Sequence, residues 1–170
     1  MPAPGAVRTA TQAAGSRRER MAALVRMGLL AGSFDIGENI IFNAFRGITP
    51  AMIFRYIASG ALGSGTAARW GWMAVGLGVV CHYGIATVWT VAFYAASRRM
   101  RFLLRRPLLW GPLYGAIVYV FMTYVVLPLS RVPRLGPTPL ATRISLILAS
   151  LFCVGYAIAL LVARDARLTE

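Results

Sequence analysis

The sequence predicts an all-α membrane protein, a four-transmembrane-helix bundle with a short interfacial or re-entrant helix between the first and second spans. Hydrophobic residues make up 58% of the 170 residues, and the mean hydropathy of +0.66 is too high for a soluble domain of this size. The apolar residues are also gathered into stretches of about 20, the length that crosses a bilayer as a helix.

The chain is predicted to have three parts. Residues 1–20 are rich in Ala, Gly, Pro, Ser and Thr, which is typical of a disordered tail, here basic and cytoplasmic, and they do not continue as a cleaved signal peptide. Residues 21–164 form the transmembrane domain, and residues 165–170 form a cytoplasmic C-terminal end. The predicted spans are residues 22–45, 72–96, 108–129 and 144–163.

The first span is the least apolar of the four, because Arg26, Asp35 and Glu38 interrupt it. Its Leu, Ile, Val and Phe residues favour insertion by about 3 to 6 kcal/mol in total, whereas one central Asp opposes insertion by about 3 kcal/mol. The helix therefore needs neighbouring helices to bury its polar face. The alternative is an interfacial or re-entrant first helix in a protein with only three spans.

A short helix is predicted after the first span. Thr49 and Pro50 have the pattern of an N-cap followed by a first-turn proline, and Gly60 is a natural stop. Ten residues extend only about 15 Å, half the thickness of a bilayer. The glycines and serine at 60–65 predict a flexible connector to the second span.

The basic residues, all of them arginine, predict the orientation. With four spans, eleven arginines fall on the side of the termini and six on the other side. This bias places both termini in the cytoplasm of a bacterial inner (plasma) membrane. We expect anionic lipid headgroups to bind the loop between the second and third spans, which contributes Arg98, Arg99, Arg101, Arg105 and Arg106. No nucleic-acid motif accompanies the charge of +13.

Small residues indicate where helices pack closely. Gly28 and Gly32 have GxxxG spacing in the first span, and Gly111 and Gly115 repeat it in the third. At 100° per residue, Asp35, Glu38 and Asn39 continue the face of the first pair. The first helix is therefore predicted to pack inward by its polar face.

Three polar residues are predicted to lie at one depth. Counting about 1.5 Å per residue from the outer ends of the spans places Asp35 and Tyr119 at ~14 Å and His82 at ~16 Å. Intramembrane acids are functional candidates by default. We interpret Asp35, Glu38 and His82, with Asn39 and Tyr119, as a site for protons or a small solute.

A structural interpretation of the same residues stays open. The acids would then form a satisfied polar patch that fixes helix packing, and His82 would be a packing histidine bonded to a backbone carbonyl or a tyrosine hydroxyl. No metal site is expected, because His82 is the only histidine and Cys81 projects to a different face. No cofactor fingerprint or hydrolase motif is present, so an enzyme is not favoured.

Several short motifs are spread over residues 27–130: Ile57-Ala58-Ser59-Gly60 with Leu62-Gly63, His82-Tyr83 with Ile85-Ala86, Ala96-Ser97-Arg98-Arg99, Arg106-Pro107, Leu113-Tyr114-Gly115 and Val126-Leu127-Pro128-Leu129-Ser130. In these motifs the chain resembles a family of small uncharacterised bacterial four-helix inner-membrane proteins. The resemblance implies a fold and a location, and that family has no established activity to carry over.

Two other functions are compatible with the sequence. One is a non-transporting structural or accessory subunit that docks a partner membrane protein by the polar face of its first helix. The other is a lipid-binding module centred on the arginine-rich loop at residues 98–106. A homo-oligomer is compatible with the small size of 18.4 kDa.

Overall fold

The structure is a computed structural model that describes residues 4–133 and 138–168. Within these ranges it is all-helical and contains no strand, which confirms the predicted class. We number the helices in chain order and treat directly continuous helical segments as one helix. They are α1 (Pro4–Ala44), α2 (Pro50–Leu62), α3 (Ser64–Trp70), α4 (Trp72–Arg99), α5 (Phe102–Arg105), α6 (Pro107–Leu129) and α7 (residues 140–168).

Three helices are long and apolar enough to cross a membrane, namely α4, α6 and the part of α7 at Leu140–Arg167. They correspond to the second, third and fourth predicted spans. Large apolar side chains on their outer faces are exposed, among them Val80, Val88, Ile117 and Phe152. Because exposed apolar surface on this scale is unfavourable in water, these helices indicate a membrane protein.

The four long helices run alternately up and down. Gly28 and Gly32 of α1 lie against Thr87 and Ala86 of α4, and the opposite numbering order shows that the two helices are antiparallel. A Cβ atom at Gly28 would lie 2.6 Å from the Thr87 Cα atom, which real contacts do not allow. The glycine therefore permits this close approach of two backbones.

The contact between α6 and α7 is also built on glycines. Gly111 lies against Gly155 and Tyr156, and Gly115 lies against Ser150 and Leu151, so this pair is antiparallel as well. Helix α1 also packs along α7, while α2 packs on α4. The bundle therefore has the neighbour order α4, α1, α7, α6.

An apolar core fills the half of the bundle next to the arginine-rich loop. The fully buried Phe93 of α4 packs there with Ile158 and Val162 of α7. Residues from α1, α5 and α6 complete it, including Leu24, Met27, Leu103 and Val118. This half of the bundle is thus closed by side chains.

Helix α2 begins as predicted but ends later. The Thr49 hydroxyl accepts a hydrogen bond from the Met52 amide at 3.4 Å, and Pro50 is the first helical residue. Gly60 does not stop the helix. Its carbonyl accepts a hydrogen bond from the Arg131 amide at 2.9 Å, and the helix ends before Gly63, whose φ of +80° favours glycine.

The predicted connector after α2 is largely helical. Helix α3 forms there because Ala67 is buried in a small cluster with Ala58 of α2 and Ala74 of α4. This tertiary burial outweighs the weak helix propensity of the Ser-Gly sequence. Gly71, with a φ of +54°, then separates α3 from α4.

The ends of the chain differ from the predicted boundaries. Helix α1 begins at Pro4, so helix continues through most of the segment predicted as a disordered tail, whose alanines favour helix. Residues 1–3 of that tail lie outside the described residues. Helix α7 continues past residue 164 to Leu168, and residues 169 and 170 of the predicted C-terminal end are likewise outside the described part.

Candidate functional site

A cavity of about 320 Å³ lies among α1, α2, α4, α6 and α7. It adjoins the apolar core, and Ala31, Val118 and Val154 belong to both. Its wall is mostly aliphatic, and the polar or aromatic side chains that line it are Asp35, Asn39, Tyr56, His82, Trp89, Tyr119, Thr123 and Ser150. Four of the five residues predicted to handle protons or a solute therefore meet at one cavity.

Asp35 and Asn39 reach the cavity because they lie one turn apart on the inward face of α1. Asp35 is half-buried and lies close enough to His82 and Glu38 for direct electrostatic interaction. No hydrogen bond joins its carboxylate to another of the described residues. Asn39 accepts two hydrogen bonds from the Asn43 amide, one at its backbone carbonyl and one at its side-chain oxygen.

Glu38 is the predicted site residue that does not line the cavity. Its Oε1 atom accepts a hydrogen bond from the Ser145 hydroxyl of α7 at 2.7 Å. Its Oε2 atom is buried without a hydrogen-bond partner among the described residues. The carboxyl group is therefore held between α1 and α7, next to the cavity.

His82 bridges two helices. Its Nε2–H donates to the Gly32 carbonyl of α1 at 2.9 Å, since a carbonyl oxygen only accepts. The ring also makes edge contacts with Phe54 and Tyr83, at centroid distances of 6.3 and 5.2 Å. The hydrogen bond to the Gly32 carbonyl is the backbone bond expected if His82 has a packing role. The His82 ring also borders the cavity.

Tyr119 lines the cavity from α6, together with Thr123 one turn later. Thr123 lies in the π-helical segment Met122–Val126 of α6, and α7 is π-helical at Ala149–Tyr156. The wider π turns contribute Thr123 and Ser150 to the wall. Such segments are frequent at functional sites.

Sequence reasoning missed Tyr56, Trp89, Thr123, Ser145 and Ser150. The spacing of Tyr119 and Thr123, four residues apart, is a helical signal that could have found the latter. Tyr56 borders the cavity because α2 packs on α4. Ser145 pairs with Glu38 across 107 residues of sequence, a contact that no local pattern reveals.

Trp89 is held rigidly in the wall. Its ring makes edge contacts with Tyr114 and Phe121 of α6, at centroid distances of 6.1 and 5.3 Å. The Tyr114 hydroxyl donates to the Trp89 backbone carbonyl at 2.6 Å. These contacts close the bundle between α4 and α6.

The arginine-rich loop lies at the opposite end of α4 from α3. All five of its predicted lipid-contacting arginines are exposed. The only one with a hydrogen bond to another described side chain is Arg98, which donates to the Tyr94 hydroxyl at 3.4 Å. The loop therefore offers a concentrated positive surface.

Among the described residues, no three His, Cys, Asp or Glu side chains form a group suited to a metal ion. Cys81 and Cys153 are free thiols. Comparisons with models of protein families, with curated proteins and with solved structures each found no match to this chain. The functional argument therefore rests on the cavity itself.

Proposed function

We propose that this chain is a four-span protein of the bacterial inner membrane that handles protons or a small solute at the central cavity. The observation that carries the proposal is the meeting of Asp35, Asn39, His82 and Tyr119 at one cavity within the bundle. Ionisable side chains are costly in a membrane interior and are usually retained there for function.

The exposure of α1 supports its assignment as the first span. Its outward face carries exposed apolar residues, namely Leu29, Leu30, Phe34 and Ile41. Asp35 and Asn39 face the cavity and Glu38 faces α7, whereas Arg26 and Ser33 are exposed. An amphipathic helix in water would have the reverse pattern, whereas a helix surrounded by lipid has this one.

The closed half of the bundle favours a binding pocket over an open channel. The apolar core adjoins the cavity on the side of the arginine-rich loop and fills that part of the bundle with packed side chains. Helix α2, proposed to be interfacial or re-entrant, contributes Ile53, Tyr56 and Ile57 to the wall. A solute or proton would then bind within the bundle.

The carboxyl groups have distinct positions that suit this function. Asp35 borders the cavity, while the buried Oε2 atom of Glu38 has no donor among the described residues. We therefore propose Asp35 as the carboxylate that meets a proton or solute, and Glu38 as the neighbouring carboxyl group that holds α1 against α7.

The docking-subunit alternative has less support. It needs the polar face of α1 on the outside of the bundle, whereas Asp35 and Asn39 border an internal cavity. Anionic lipids remain our proposed ligands for the arginine-rich loop, which is exposed and basic.

The proposal is tested by proton flux into liposomes under a pH gradient. We expect Asp35→Asn to abolish the flux of the wild type, because the isosteric amide keeps hydrogen bonding but does not carry a proton. Glu19→Gln is the matched control, since Glu19 is an exposed acid earlier on α1. Absence of flux in the wild type, or equal flux in Asp35→Asn, contradicts proton handling.

Topology is tested separately by single cysteines in a variant with Cys81 and Cys153 replaced. Four spans predict that a thiol at Glu19 and one at Gly47 react with an impermeant maleimide from opposite sides of the membrane. Reaction from the same side would instead support three spans.

A further inference from the structure

We propose that the solute of the central cavity is a small organic ammonium ion with an apolar or aromatic body. This inference rests on the proposed function and specifies its ligand. It follows from the charge, the aromatic content and the rigidity of the cavity wall.

The charge of the wall favours a cation. Among the described residues that line the cavity, Asp35 is the only acid, and no arginine is present. The other polar or aromatic side chains that line it are Asn39, Tyr56, His82, Trp89, Tyr119, Thr123 and Ser150, several of which offer oxygen acceptors. An anion would therefore meet the Asp35 carboxylate, whereas a cation would neutralise it.

The Asp35 carboxylate is available for a ligand because its neighbours are already engaged. His82 donates its Nε2–H to the Gly32 carbonyl, and the Ser145 hydroxyl donates to Glu38. No hydrogen bond joins the Asp35 carboxylate to another described residue. An ammonium ion in the cavity would donate to this carboxylate and neutralise its charge.

Aromatic rings suit the rest of the ligand. Tyr56 from α2, Trp89 from α4 and Tyr119 from α6 all border the cavity. Aromatic faces attract ammonium groups and also pack against apolar bodies. Because Trp89 is fixed by edge contacts with Tyr114 and Phe121, its ring is preorganised before a ligand binds.

The size and the aliphatic lining limit the ligand further. A volume of about 320 Å³ is at the lower end of small-molecule pockets. Ile36, Ile53, Val118 and Leu127 leave few positions where a strongly hydrated inorganic ion could keep its water shell. A compact organic cation meets both conditions better than a metal ion or a polyanion.

The test measures equilibrium binding of radiolabelled phenyltrimethylammonium to the full chain in lipid nanodiscs. We expect saturable binding that falls at least about tenfold in Asp35→Asn, as expected when a buried charge loses its partner. Glu19→Gln should bind like the wild type. Excess benzenesulfonate, an anion with an aromatic body, should not displace the ligand.

A second variant tests the position of the site without changing charge. Ala149→Phe places a ring into the cavity from α7, where Ala149 is buried, and should remove binding while circular dichroism reports the same helix content. Unsaturable binding in the wild type, or unchanged binding in both cavity variants, overturns the inference. Proton flux that depends on Asp35, without saturable ligand binding, supports proton handling and overturns the ammonium ligand alone. Saturable binding that depends on Asp35, without proton flux, supports the ammonium ligand and contradicts proton handling.

Discussion

Replacing Gly115 with alanine should separate α6 from α7. The added Cβ atom would lie 2.7 Å from the Leu151 Cα atom and closer still to the Ser150 carbonyl oxygen. A relaxed carbon–carbon contact needs about 3.5 Å, so the helices would move apart by about 0.8 Å, and the surrounding contacts would lose a quarter to a half of their attraction. Overpacking of this kind destabilises proteins by about 1 to 3 kcal/mol.

Gly84 provides the matched control on α4. A Cβ atom there meets nothing within 4 Å, so Gly84→Ala should gain up to about 1 kcal/mol from helix propensity. Because both glycine-to-alanine changes share this propensity gain, the two variants should differ by the overpacking cost of about 1 to 3 kcal/mol, or roughly 5- to 160-fold in the unfolding equilibrium constant. Unfolding in mixed micelles of increasing dodecyl sulfate content measures this difference. Equal stability of the two alanine variants would refute the close α6–α7 contact.

Three further predictions concern α2, α1 and the loop. Gly78→Ala should displace α2, because the added Cβ atom would overlap the Phe54 carbonyl, and should weaken ammonium binding, whereas Gly76→Ala should bind like the wild type. A double-mutant cycle of Glu38→Ala and Ser145→Ala should give a coupling of about 0.6 to 1.7 kcal/mol in unfolding; a value near zero contradicts their hydrogen bond. Replacing the loop arginines with glutamine should weaken association with anionic vesicles by about 1 kcal/mol per residue. Cosedimentation with vesicles that contain or lack anionic lipid measures this change, and unchanged association contradicts lipid binding by the loop. These arginines are Arg98, Arg99, Arg101, Arg105 and Arg106.

Much of the fold follows from local sequence patterns. Long apolar stretches predicted the helices α4, α6 and α7, and the N-cap pattern of Thr49 and Pro50 predicted the start of α2. These signals are local because helix hydrogen bonds and caps involve residues within four positions of each other. The local sequence was therefore sufficient to predict the positions of these helices along the chain.

The rest depends on contacts between distant segments. Gly60 remains helical because the loop after α6 packs on it, and α3 forms because Ala67 is buried between α2 and α4. The local amino-acid composition does not predict the π-helical segments of α6 and α7. Tertiary packing determines each of these features. Local sequence patterns do not reveal which distant segments pack together.

The candidate site was partly predictable for a geometric reason. Helical periodicity put Asp35 on the inward face of α1, and a constant rise per residue put His82 and Tyr119 at a similar depth. Those arguments predict the helix face and the depth of each residue. In the structure all three residues border one cavity. They do not assign neighbours, so the engagement of Glu38 by Ser145 on α7 could not be derived.

The polar contacts that hold α1 in the bundle also leave Asp35 available for function. His82 of α4 donates to the Gly32 carbonyl, and Ser145 of α7 donates to Glu38, so α1 is bonded on both sides. Each bond offsets part of the cost of burying a polar helix. Asp35 lies between these bonds, on the cavity, without a hydrogen bond to another described residue. Neighbouring helices thus stabilise the least apolar of the four long helices while the Asp35 carboxylate faces the site.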